Sequence, residues 1–110
     1  MKTTTFFIAS ERADEMSRRI LGIIGLKENQ LRTFFVDPEC QGRGIGRLLY
    51  EELEATARER GLPELWLEGS STGEPVYKSF GFTVERYIEK KRAGESYTDA
   101  LMRKQLLPLP

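Results

Sequence analysis

The stretch Phe34-Phe35-Val36-Asp37-Pro38-Glu39-Cys40-Gln41-Gly42-Arg43-Gly44-Ile45-Gly46-Arg47-Leu48-Leu49 decides how the chain reads. Its first part closes a β-type run over residues 31–36. The run stops at Asp37-Pro38, because proline has no N–H to donate to a neighbouring strand and restricts the residue before it. Its last part opens an amphipathic helix over residues 44–60, in which Ile45, Leu48, Leu49, Leu53, Thr56 and Ala57 recur three or four apart on one face. Gly61 supplies a left-handed cap to that helix, and Pro63 follows.

On the N-terminal side, residues 4–9 and 20–26 read as strands joined by the polar stretch 10–19, a hairpin with a long charged loop. With a turn at residues 27–30 they and the 31–36 strand make an antiparallel meander. On the C-terminal side, residues 64–68 form a strand whose link to the third through the long helix is a βαβ crossover, so those two strands are expected to be parallel neighbours. A short helix over residues 73–80 follows, capped by Thr72, with Pro75 in its first turn and Gly81 at its end. Residues 82–90 and 99–106 supply two last strands around a polar turn at 92–96, and residues 107–110 read as a terminal appendage. The fold class is mixed α/β: a mostly antiparallel sheet with a central βαβ parallel pair, in a single domain spanning residues 1–110.

Composition narrows the function. At 110 residues and 39% hydrophobic content the chain can bury one core. Its 17 basic and 17 acidic side chains leave no global field for nucleic acid or an anionic membrane, so any anion must be held locally. Met1-Lys2-Thr3-Thr4-Thr5 lacks the pattern of a secretory signal and no apolar run reaches membrane-span length, so a cytoplasmic protein is expected. The single cysteine, Cys40, cannot form an internal disulfide. The absence of histidine removes Ser/His and Cys/His pairs and the commonest metal ligand, so no metal site is expected. Proton transfer falls to carboxylates, Tyr, Lys or the lone thiol.

The segment from Gln41 to Arg47 has two physical readings. Its glycines remove side chains that would block a ligand, and the helix's first-turn N–H groups lack intrahelical partners, so the turn can receive a pyrophosphate, with Arg43 and Arg47 adding charge. Alternatively, the glycines only let the helix pack tightly on a strand. The spacing fits neither a Walker loop nor the dinucleotide fingerprint.

At this point the sequence resembles the GNAT family of acyl-CoA N-acetyltransferases, whose phosphate loop has Gln or Arg, two variable residues, Gly, one variable residue, then Gly or Ala. Gln41, Gly44 and Gly46 match in order. Phe35-Val36-Asp37-Pro38 and Gly46-Arg47-Leu48-Leu49 resemble the flanking pattern, and Tyr77-Lys78-Ser79-Phe80-Gly81-Phe82 resembles the family's Tyr-x-x-x-Gly-Phe signature. The resemblance covers residues 4–106. It departs at the start, where family members usually have another strand and two helices, which makes this an N-terminally shortened version of the fold.

The resemblance implies acetyl-CoA as co-substrate, its pyrophosphate held by Gln41, Gly42, Arg43, Gly44, Ile45, Gly46 and Arg47. It implies pantetheine bound by main chain at Phe34, Phe35 and Val36 where the third and fourth strands splay, with a main-chain N–H near Val36 meeting the oxyanion. Glu68 resembles the family's general base, needed because a lysine-like amine has a pKa of about 10.4. Tyr77 resembles its general acid, although a thiol with a pKa of about 8.5 leaves readily. As structural alternatives, Glu68 would be a solvated carboxylate at a strand end and Tyr77 a packing residue under the short helix. Gly73 and Val76 stand where the family has Ala and Phe. Cys40, with no histidine to activate it, reads as a bystander.

Together these readings imply direct acetyl transfer to a primary amine of a peptide, protein or small molecule. The alternative is a non-catalytic acyl-CoA-binding sensor or regulatory module, and a third reading is an interaction domain. The shortened start also leads us to expect a homodimer, because the opening strand would expose an edge.

Overall fold

A computed structural model of the protein describes residues 3–107. The chain divides into two compact units, one ending at Gly61 and the other starting at Leu62. The strands lie in a mostly antiparallel six-stranded sheet with one parallel pair, in the order β1-β2-β3-β4-β6-β5.

The first unit is a meander of β1 (Thr4–Arg12), β2 (Arg18–Lys27) and β3 (Gln30–Val36), followed by a 3₁₀ turn (Pro38–Cys40) and helix α1 (Ile45–Glu59). Both strand pairs are antiparallel. The β1–β2 hairpin corrects the sequence reading, which made residues 10–19 a loop. The strands continue to Arg12 and resume at Arg18, leaving residues 13–17, where the Asp14 carboxylate accepts from the N–H groups of Met16 at 2.7 Å and Ser17 at 3.0 Å. Polar residues pair here because their side chains stay in water: Arg18 Nε donates to Ser10 Oγ at 3.0 Å. A bulge between Ile24 and Gly25 on β2 leaves Thr33 as the extra residue of β3, at φ 50°.

Helix α1 buries Ile45, Leu49, Tyr50, Leu53 and Ala57. Leu48, expected on that face, is 63% exposed, whereas Tyr50 is buried and donates its hydroxyl to Glu54 Oε1 at 2.7 Å. The helix rests on β2 at Gly22, where a β-carbon would meet Leu49 Cδ1 at 3.0 Å and Phe35 O at 2.9 Å. Gly61, at φ 73°, ends it as expected.

The second unit holds β4 (Glu64–Ser70), α2 (Glu74–Ser79), β5 (Thr83–Arg92) and β6 (Glu95–Gln105), with β6 antiparallel to both β4 and β5. Leu65, Leu67 and Met102 are buried on the face that α2 covers. Helix α2 is shorter than the sequence suggested. Gly73 is its N-cap rather than its first residue, and its N–H donates to Ser70 Oγ and the Ser70 carbonyl, so Thr72 is not the cap. The β5–β6 connection also differs: the expected turn at 92–96 is the two-residue turn Ala93-Gly94, both left-handed, and Arg92 pairs with Glu95. Of the terminal appendage, residues 108–110 lie outside the described residues, as do Met1 and Lys2.

Leu53 has no solvent exposure, so Leu53→Ala removes buried methyl groups and leaves a void. The variant should lose about 2–5 kcal/mol, read as a lower urea midpoint at unchanged slope.

Candidate functional site

The connection from β3 to α1 is built from consecutive tight turns. The Asp37 N–H donates to the Leu21 carbonyl at 2.7 Å, anchoring the end of β3 to β2. Its carboxylate accepts from Arg19 at 2.9 Å and from the Glu39 N–H at 2.9 Å, and these bonds, that of Arg19 first, hold the acid below the usual carboxylate range. Arg19 also bridges to Glu39 at 2.8 Å. The Arg43 N–H then donates to the Cys40 carbonyl, and Gly42 and Gly44 take left-handed φ of 87° and 80°. Those angles explain the glycines directly, since a side chain there costs roughly 1–2 kcal/mol of backbone strain.

Gln41, Gly42, Arg43 and Gly44 are exposed, and a β-carbon built on Gly42 or Gly44 would meet nothing within 4 Å. Gly44 is the N-cap of α1, without a side-chain capping bond, and Arg47 is exposed in the first turn. Ile45 points inward and is buried. Gly46 is the close approach: its β-carbon would lie 3.1 Å from Phe34 Cζ and 3.5 Å from Val36 Cγ2. Phe34 and Val36 therefore face α1, while Phe35, 53% exposed, projects from the opposite face of the strand.

Arg43 reaches to Glu11 of β1 at 3.5 Å and back to Cys40 Sγ of the turn at 3.7 Å. Arg19 also donates to that sulfur at 3.8 Å, so Cys40 is a buried thiol packed beneath the turn.

In the second unit, Glu68 lies near the end of β4, opposite Leu101 of β6, with its side chain one-third exposed. Its Oε2 accepts from the Lys90 ammonium of β5, which also lies 3.5 Å from Asp99 Oδ2. Neither Lys90 nor Asp99 was read from sequence as part of a site. The signal is register, and it exists only once the turn is placed at Ala93-Gly94: Ser70 then pairs with Asp99 and Asp99 with Ile88, on one face with Glu68 and Lys90.

Tyr77 comes from α2 and packs its ring edge-on to Phe82, centroids 6.4 Å apart. The ring lies against two glycines, since a β-carbon on Gly69 or Gly73 would sit 2.9 Å from Tyr77 Cε2. Burial pushes the phenol above its ordinary pKa, so it keeps its proton through neutral pH. Among the described residues, no group of three or more His, Cys, Asp or Glu could hold a metal, and no helix is long and apolar enough to cross a membrane.

A family model described as an acetyltransferase (GNAT) domain matches residues 2–106. The [ribosomal protein bS18]-alanine N-acetyltransferase of Salmonella typhimurium is 36% identical over 72 residues, which are 63% of this chain and 49% of that protein. The chain thus spans about half the length of that curated relative. Among solved structures, a GCN5-related N-acetyltransferase from Rhodopseudomonas palustris superposes with a TM-score of 0.81 at 23% identity, over 94% of this chain and 62% of that one. An aminoglycoside 6'-N-acetyltransferase complexed with coenzyme A gives 0.77 at 18% identity, over 97% and 75%. At these identities the two structures show the fold.

The seat of Tyr77 generates a test. Gly69→Ala places a methyl where the ring now lies, so it should cost about 1–3 kcal/mol. Urea unfolding checks the cost, and loss of near-ultraviolet dichroism from Tyr77 checks its cause.

Proposed function

Because the chain belongs to the GNAT acetyltransferase family, we propose that it transfers an acetyl group directly from acetyl-CoA to a primary amine in the cytoplasm, without a metal. The observation that carries the proposal is the turn from Gln41 to Arg47, whose left-handed Gly42 and Gly44 open outward at the uncapped start of α1. Main-chain donors in such a setting, at the positive end of a helix, suit a diphosphate. Gln41, Gly42, Gly44, Ile45 and Gly46 contribute backbone to that cradle. Arg47 and, after release from Glu11, Arg43 contribute charge. Phe34, Phe35 and Val36 offer main chain to pantetheine, and a main-chain N–H near Val36 stabilises the oxyanion.

Glu68 is the proposed base. It accepts a proton from the acceptor's ammonium, leaving a neutral amine whose lone pair attacks the thioester carbonyl. Tyr77 is the proposed acid for the departing thiolate. Its raised pKa keeps it protonated well above neutrality, and the thiolate's low basicity makes this assistance the smaller contribution. The acceptor class we favour is an amine at a peptide or protein N-terminus, on the analogy of the Salmonella relative named for alanine.

The assembly we propose is a homodimer. In the first unit β1 exposes Phe6 (49%) and Ile8 (54%) on the face that also carries Ile23 and the exposed Phe35, away from α1. A second copy would cover that apolar row. Native mass spectrometry at micromolar protein should give twice the chain mass, and a strictly monomeric mass counts against the dimer.

The transfer is tested by thiol release from acetyl-CoA over an amine panel that includes a peptide with an N-terminal alanine. Glu68→Gln should lose about a hundredfold or more in rate, and Tyr77→Phe considerably less. With an α-amine acceptor the rate should rise with pH and level off near its pKa of about 8, whereas a lysine-like acceptor should keep rising toward about 10.4. A full rate in Glu68→Gln removes the base assignment. Tight calorimetric binding of acetyl-CoA with no turnover on any acceptor would leave a sensor or regulatory module instead.

A further inference from the structure

Resting on the transferase reading above, the geometry of β4, β5 and β6 points to a modification site: Lys90 is an intramolecular acceptor, and the protein acetylates its own Lys90 side chain. The Nζ of Lys90 donates to Glu68 Oε2, the oxygen proposed to deprotonate an incoming amine. Asp99 Oδ2 lies 3.5 Å from the same nitrogen and braces it from β6. The three side chains are one-third exposed or less, and the strand register rather than a mobile loop brings them together. A primary amine therefore already stands beside the carboxylate assigned as the base.

Among the described residues, no other lysine has this placement in the structure's charged contacts. Lys78 lies 4.0 Å from Glu74 of its own helix, and Lys104 donates to the Phe80 carbonyl at 2.6 Å. Lys91 follows Lys90 on β5 and pairs with Ser96, so strand alternation turns it to the opposite face.

The chemistry balances without a further reactant. Glu68 takes one proton from the Lys90 ammonium, and the freed lone pair forms the N–C bond at the acetyl carbonyl. The C–S bond breaks, and the coenzyme A thiolate leaves with the second amine proton as the thiol. Glu68 then returns its proton to solvent. The product is an acetyl-lysine with no charge, so the ion pairs to Glu68 and Asp99 are lost together. Because the amine is already held beside the base, the step needs no acceptor-binding event.

Spontaneous acetylation by thioester would give the opposite pattern. Hydrogen bonding to Glu68 raises the pKa of Lys90, so less of it is neutral at pH 7.5 than of a solvated lysine, and it should react slowly on its own.

Peptide mapping of the full chain incubated with acetyl-CoA tests the proposal, with thiol release on the amine panel followed in the same sample. Acetylation at Lys90 is expected at least about tenfold faster than at Lys91, at a rate per chain unchanged by hundredfold dilution of the protein. The label should be slowed in Glu68→Gln and the intact-mass shift absent in Lys90→Arg. Labelling of Lys90 no faster than Lys91, or a rate that rises with protein concentration, overturns self-acetylation. Turnover on external amines with Lys90 unmodified overturns it while leaving the transferase reading intact, and neither turnover nor label overturns both.

Discussion

The first unit depends on how closely α1 can approach β2. Only hydrogen at position 22 permits it, because a β-carbon there would stand within 3.0 Å of both the Phe35 carbonyl and Leu49. The same economy repeats one turn into the helix, where Gly46 lets the first turn settle on Phe34 and Val36. These two contacts fix the distance that residues 37–44 must span. A short span in which two residues are left-handed cannot collapse onto the helix, so its main chain stays outward. The openness of the turn is thus a consequence of helix packing, and the two readings that the sequence allowed for the glycines describe different residues: Gly46 serves packing, whereas Gly42 and Gly44 shape the exposed bend.

Much of this was legible in the chain, for local reasons. The period of α1, the break at Asp37-Pro38 and the order of Gln41, Gly44 and Gly46 are all short-range signals. The misreadings share a cause as well. Ser10, Arg12 and Arg18, and later Arg92, Glu95 and Ser96, are polar residues in extended backbone, and strands whose side chains remain in water leave no alternation to detect. Leu48 and Tyr50 exchanged places for a related reason. Burial on α1 follows the stripe through Ile45, Leu49, Leu53 and Ala57, and a tyrosine whose hydroxyl finds Glu54 can join it where a leucine off the stripe cannot. The surroundings of Glu68 were out of reach because they depend on a register set by a turn that the sequence placed too broadly.

Charge in this protein is arranged locally. Arg19 is shared between Asp37 and Glu39, Arg43 faces Glu11, and Lys90 lies between Glu68 and Asp99. Solvent screens exposed pairs of this kind, so their effect is on orientation more than on stability. A chain with no net charge in this way pairs its cations with nearby carboxylates within each unit.

The contact of the Tyr77 ring with Gly69 and Gly73 ties three positions on two elements into a single steric unit. None of the three can drift alone. A methyl at 69 or 73 would have to push the ring edge aside, so a change at either glycine is felt first as a new tilt of Tyr77 against Phe82.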